Sequence, residues 1–182
     1  LEKIKLLPSS VKYLDISSNY LGILNAKPFD HLPNLEELIL SNTSLFQIET
    51  NAFQLFNKLI SLDLSYNSLK QIIFSASTKK YSVAYLFLEE NEFELNLDSI
   101  TPARFPFLQY IKLSTDKFPC NYLRSFQKRM KNVSIFNSYN ETCYNLTGNI
   151  FSQNRIMWKN TNDNLGIKQP HIWTQRHPYT TH

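Results

Sequence analysis

Apolar residues return along this chain in a fixed phrase, L-x-x-L-x-L-x-x-N-x-L with aliphatic or aromatic substitutes, and the phrase occurs five times. It reads Val11, Leu14, Ile16, Asn19 and Leu21; then Leu35, Leu38, Leu40, Thr43 and Leu45; then Leu59, Leu62, Leu64, Asn67 and Leu69. The fourth copy is Val83, Leu86, Leu88, Asn91 and Phe93, and the fifth is Leu108, Ile111, Leu113, Asp116 and Phe118. First positions fall at 11, 35, 59, 83 and 108, so successive copies begin 24, 24, 24 and 25 residues apart. Chance composition does not hold such a register.

Alternating apolar residues such as Leu62 and Leu64 predict a short strand with one face turned inward. A single coil of this kind cannot bury its own apolar face, so copies must stack. Strands lie about 4.8 Å apart, which makes five of them a ribbon roughly 20–25 Å wide. The Asn position answers a different need. A turn buried inside the coil leaves N–H and C=O groups that require partners, and a stacked amide both donates and accepts. Asn19, Asn67 and Asn91 are expected in that role, with Thr43 and Asp116 as less complete replacements.

On these residues the chain resembles a leucine-rich-repeat protein of the animal extracellular type. The tails of the repeats carry the same resemblance. A second apolar pair follows each turn, at Leu21/Leu24, Leu45/Ile48 and Leu69/Ile72, and F-x-x-[LF] appears as Phe29/Leu32 and Phe53/Phe56. The resemblance implies an α/β solenoid: a curved, right-handed coil with a parallel sheet on its concave side and a small helical cap. The third repeat departs from the pattern, since Ser77 and Lys80 occupy the aromatic and aliphatic slots, so Phe74 or Tyr81 is expected to fill in.

The layout is a partial repeat over 1–10, five repeats over 11–118, a carboxyl-terminal cap over 119–147 and a polar tail over 148–182. Leu1, Ile4, Leu7 and Pro8 match the back half of a shorter repeat, so the chain is expected to begin inside one. The other end resembles a reduced form of the family's cap. Asn121 is the expected helix N-cap, Leu123, Phe126 and Met130 recur at helical spacing, and Val133 with Ile135 suggests an edge strand. Family caps often hold four cysteines, and this chain has two, Cys120 and Cys143. A Cys120–Cys143 disulfide would close about 24 residues and stabilise by roughly 3 kcal/mol; two free buried thiols are the alternative.

Composition adds a compartment. Four N-x-[ST] triplets begin at Asn42, Asn132, Asn140 and Asn145, three of them beside the second cysteine, which favours an extracellular or secreted protein and N-glycosylation. At Asn42 the neighbouring Thr43 should point into the turn ladder. No run reaches the ~18 apolar residues of a membrane span. A net charge of +4 is modest, and no motif supports nucleic-acid binding. Its densest source is Arg124, Lys128, Arg129 and Lys131 on the cap helix, a candidate site for sulfated glycan.

Residues between the inward positions of each strand should form three columns on the concave face. They are Tyr13, Glu37, Ser61, Tyr85, Tyr110; then Asp15, Ile39, Asp63, Phe87, Lys112; then Ser17, Ser41, Ser65, Glu89, Ser114. Tyr85, Phe87 and Tyr110 are expected as an exposed aromatic patch, extended by Ile39 and flanked by Tyr13 and Lys112; such patches mark partner sites. Enzyme chemistry lacks parts: there is no phosphate loop, G-x-S-x-G elbow or H-E-x-x-H helix. His171, His177 and His182 match no zinc spacing, and no cofactor or metal is expected.

Two functions follow. In the first, the chain is a secreted or receptor-ectodomain recognition module that binds a partner protein through the concave face. The resemblance implies settings such as innate immunity or cell adhesion, and homo- or heterodimers. In the second, it is a structural or matrix spacer that holds sulfated glycans through its cationic cap helix.

Overall fold

The computed structural model describes residues 2–74, 79–93, 97–114 and 118–137, with the backbone alone at 2, 136 and 137. The chain divides into two units, Leu1–Phe151 and Ser152–His182, and the description that follows belongs to the first.

Six strands form one parallel sheet: β1 (Tyr13–Asp15), β3 (Glu37–Ile39), β5 (Ser61–Asp63), β6 (Tyr85–Phe87), β7 (Tyr110–Leu113) and β8 (Ser134–Asn137), in that spatial order. Two shorter strands, β2 (Ile23–Leu24) and β4 (Gln47–Ile48), pair in parallel as a separate two-stranded sheet joining the first two coils. The register follows the sequence phrase: Leu14 pairs with Leu38, Leu38 with Leu62, Leu62 with Leu86 and Leu86 with Ile111. Each coil returns the chain to the same height beside its predecessor, so equivalent leucines share one interior. Leu38, Leu40, Leu62, Leu64, Leu86 and Ile111 are closed to solvent.

The turn ladder forms at Asn67 and Asn91. Asn67 Oδ1 accepts from the backbone N–H of Thr43 (2.9 Å) and of Leu45 (3.0 Å), one coil back. Its Nδ2 donates to the carbonyls of Leu40 (2.8 Å) and Leu64 (3.0 Å). Asn91 repeats the arrangement one coil on, accepting from Leu69 N–H and donating to Leu64 and Leu88. Thr43 substitutes in part: its hydroxyl donates to the Leu40 carbonyl at 2.8 Å. Asn19 is exposed and, among the described residues, bonds only to carbonyls of its own turn. Asp116 lies outside the described residues.

Behind the sheet, aromatic rings fill the coil. Phe29 meets Phe56 edge-on at 5.6 Å, and Phe74 meets Phe53, Tyr81 and Phe105 at 5.3, 5.1 and 4.7 Å. Phe74 and Tyr81 thus occupy the space that the third repeat's missing aromatic slot leaves open. Lys79 closes the gap beside them, its ammonium donating to the Phe53 and Gln54 carbonyls and lying 5.5 Å from the Tyr81 ring centre.

A helix, α1 (Cys120–Arg129), follows the fifth coil and buries Leu123 and Phe126, with Met130 just beyond it. Asn121 is not its N-cap. Pro119, extended at φ −60° and ψ 143°, holds that position without a side-chain bond, and Asn121 Oδ1 accepts from the N–H of Tyr122. Proline's fixed φ sets the helix start two residues earlier than the side-chain signal implies. The expected edge strand is β8, which lies parallel beside β7 with Ile111 opposite Ile135.

Candidate partner-binding face

Strand register brings the predicted columns together. Tyr13, Glu37, Ser61, Tyr85 and Tyr110 lie in one row, and Asp15, Ile39, Asp63, Phe87 and Lys112 in the next. The expectation of an exposed aromatic patch is corrected by burial. Phe87 is 5% exposed, Tyr110 7% and Ile39 5%, while Tyr85 is half-buried and Tyr13 keeps 43%. Neighbouring rings supply part of the cover over Phe87 and Tyr110. Tyr110 sits 5.5 Å from Phe87 and 6.5 Å from Tyr85, ring centre to ring centre.

Polar members of the face are organised as well. Asp63 Oδ1 accepts from the N–H of Ser65 (2.9 Å) and its hydroxyl (2.6 Å), and the Ser65 hydroxyl meets that of Ser41 at 3.0 Å. Asp15 accepts from the N–H of Ser17 in the same way at 2.8 Å. These aspartates therefore serve the strand ends as local turn-formers. Lys112 is one-third exposed and pairs with Glu89 at 2.9 Å, whose own side chain is 1% exposed. Burial pushes the Glu89 carboxyl above the ordinary carboxylate range, and the Lys112 charge offsets only part of that. Tyr110 is also pushed up, first by burial and then by the Glu89 charge. Glu89 Oε2 accepts no hydrogen bond from the described residues.

A family model described as leucine rich repeat matches residues 8–45 and 33–93, the stretch in which the coils stack at 24-residue steps. The chain is a leucine-rich-repeat protein. Bovine osteomodulin is 32% identical over 116 residues, covering 61% of this chain and 26% of the relative. Human oligodendrocyte-myelin glycoprotein is 32% identical over 136 residues, covering 70% of this chain and 30% of the relative. Chicken keratocan is 30% identical over 121 residues, covering 63% and 33% respectively. All three are animal extracellular proteins, and this leucine-rich-repeat chain spans about a third of their length or less. A crystal structure of a TLR13–ssRNA13 complex shares the fold, with a TM-score of 0.61 at 19% identity, covering 75% of this chain and 19% of that one.

The other predicted positions fall as follows on this leucine-rich-repeat scaffold. Among the described residues no cysteine is free; Cys120 opens α1, and Cys143 lies outside them, as do Asn140 and Asn145. Asn42 and Asn132 are both exposed. The cationic residues do not make one free face. Arg129 pairs with Asp98 at 3.6 Å and lies over the Phe126 ring, and Arg124 is half-buried; Lys128 and Lys131 are exposed. No helix among the described residues is long and apolar enough to cross a membrane. The sequence pattern places Glu89 in the third column but gives no sign of its desolvation. It passes over Tyr20 and Phe46, exposed rings that flank Gly22, at turn positions the phrase leaves unassigned.

Proposed function

We infer that this chain is the recognition portion of an extracellular protein and takes a protein partner on the outer face of its sheet. The observation that carries the reading is Glu89. A carboxylate almost closed to solvent, with one oxygen lacking a donor among the described residues, is costly to keep unless another molecule completes its bonding. Around it lie aromatic residues of the type that dominate protein interfaces. Tyr13 and Tyr85 keep enough exposure to make first contact, with Lys112 between face and solvent. Ile39, Phe87 and Tyr110 act beneath them, holding the rings in place. The extracellular relatives support the compartment, and cell adhesion or innate immunity is the setting the family likeness suggests. The cationic cap helix is the lesser reading, because Arg129 is already paired and Arg124 half-buried.

The test uses the secreted chain, tetramerised and applied to animal cells and their matrix. Tyr13→Ala with Tyr85→Ala should weaken binding on the order of tenfold or more with unchanged melting. Unaltered binding by that variant, together with loss on Lys128→Glu/Lys131→Glu or on heparinase treatment, would replace recognition by the face with glycan-holding by the cap.

A further inference from the structure

The connection from the cap helix to the last strand is a tight corner. Met130 N–H bonds to the Phe126 carbonyl at 2.9 Å, and Val133 N–H then bonds to the Met130 carbonyl at 3.0 Å. That closes a four-residue turn with Lys131 and Asn132 at its tip. Ser134 N–H bonds to the Gln109 carbonyl at 2.8 Å and begins β8. Met130 and Val133 are buried, which anchors the turn, while Lys131, Asn132 and Ser134 are exposed. The triplet Asn132-Val133-Ser134 therefore shows both its amide and its hydroxyl to solvent from a fixed backbone, and it matches the N-glycosylation acceptor pattern. Asn42-Thr43-Ser44 differs: the Asn42 amide already bonds to the Ser18 hydroxyl of the adjacent coil at 3.3 Å.

Position adds a role. β8 ends the order of the six-stranded sheet, and among the described residues no strand flanks its outer side. An open edge invites another strand, and proteins blunt it with charge, proline or cover. Ser134-Ile135-Phe136-Asn137 carries neither charge nor proline.

We propose that Asn132 bears an N-linked glycan and that this glycan closes the outer edge of β8 against strand addition by a second copy of the chain. In the transfer, Asn132 Nδ2 displaces the lipid pyrophosphate from the anomeric carbon of an oligosaccharide donor. A C–N bond forms, the C–O bond to pyrophosphate breaks, and the amide nitrogen gives up one proton. The proposal rests on the extracellular reading above.

The experiment separates the two by placing the chain behind a cleavable secretion leader in animal cells, so that entry into the secretory route does not depend on native targeting. Enzymatic release of glycans in heavy-oxygen water, followed by mass spectrometry, reads the occupancy of Asn132; light scattering reads self-association. Wild type and Ser134→Thr should be occupied and monomeric. Asn132→Gln and Ser134→Ala should be bare at this position and self-associate on the order of tenfold more tightly. If the bare variants are not secreted, trimming the glycans of the folded Ser134→Thr protein supplies the same comparison. A secreted wild-type chain with unmodified Asn132 overturns the site. Occupied and bare forms with equal self-association overturn its role. Where the endogenous protein resides tests the compartment separately.

Discussion

Replacing Asn67 by alanine tests the bonding that joins the second and third coils. The amide spans 22 to 27 residues of sequence to reach the previous coil and is nearly closed to water. Its loss strips the only acceptor among the described residues for two buried donors, the N–H groups of Thr43 and Leu45. An orphaned buried donor costs about 1–3 kcal/mol, so the pair sums to about 2–6 kcal/mol. The carbonyl side is softer, because Leu40 keeps the Thr43 hydroxyl and Leu64 keeps Asn91 Nδ2. We expect about 4 kcal/mol, a large share of the roughly 5–15 kcal/mol that holds a typical domain folded. Asn19→Ala is the control, since Asn19 is exposed and, among the described residues, reaches only the Ile16 and Ser17 carbonyls; it should cost below about 1 kcal/mol. Urea unfolding followed by far-ultraviolet circular dichroism measures both. Because coils in a solenoid are coupled through neighbours, Asn67→Ala should also broaden the transition. Midpoints that place the two variants within about 1 kcal/mol of each other would refute the ladder as a source of stability.

Phe74→Ala should remove about 3–5 kcal/mol, the usual range for emptying a buried phenylalanine site, because its ring touches Phe53, Tyr81 and Phe105 at once; an unchanged melting temperature would contradict that packing. Glu89→Gln carries a pH signature. Burial raises the folded carboxyl above its ordinary 4.5, so the folded state holds the proton more tightly and the associated stability is full below that ordinary value. It is lost as pH rises through the raised one. The melting temperature of Glu89→Gln minus that of wild type should therefore grow with pH and then level off. A difference that shrinks with pH would mean that the Lys112 pair outweighs desolvation.

The inside of this protein is legible in the sequence alone. A 24-residue step forces equivalent residues to the same height on successive coils, so Leu38, Leu62 and Leu86 had to be neighbours, and Asn67 had to meet the coil before it. Phe74 and Tyr81 were likewise foreseeable as fillers, since the broken third repeat left a space of aromatic size.

The outer face was not legible in the same way. Period fixes which side of the backbone Phe87, Tyr110 and Ile39 leave from, but not what lies over them, and all three are buried. Only the fold set Lys112 against Glu89 in a desolvated spot, turned Arg129 toward Asp98 and gave the cap helix to Pro119 instead of Asn121. Repetition along a chain specifies contacts that recur. A single ion pair, a single ring overlap or a single helix start has no repeat to announce it, and depends on distances that only the folded coils bring to a few ångströms.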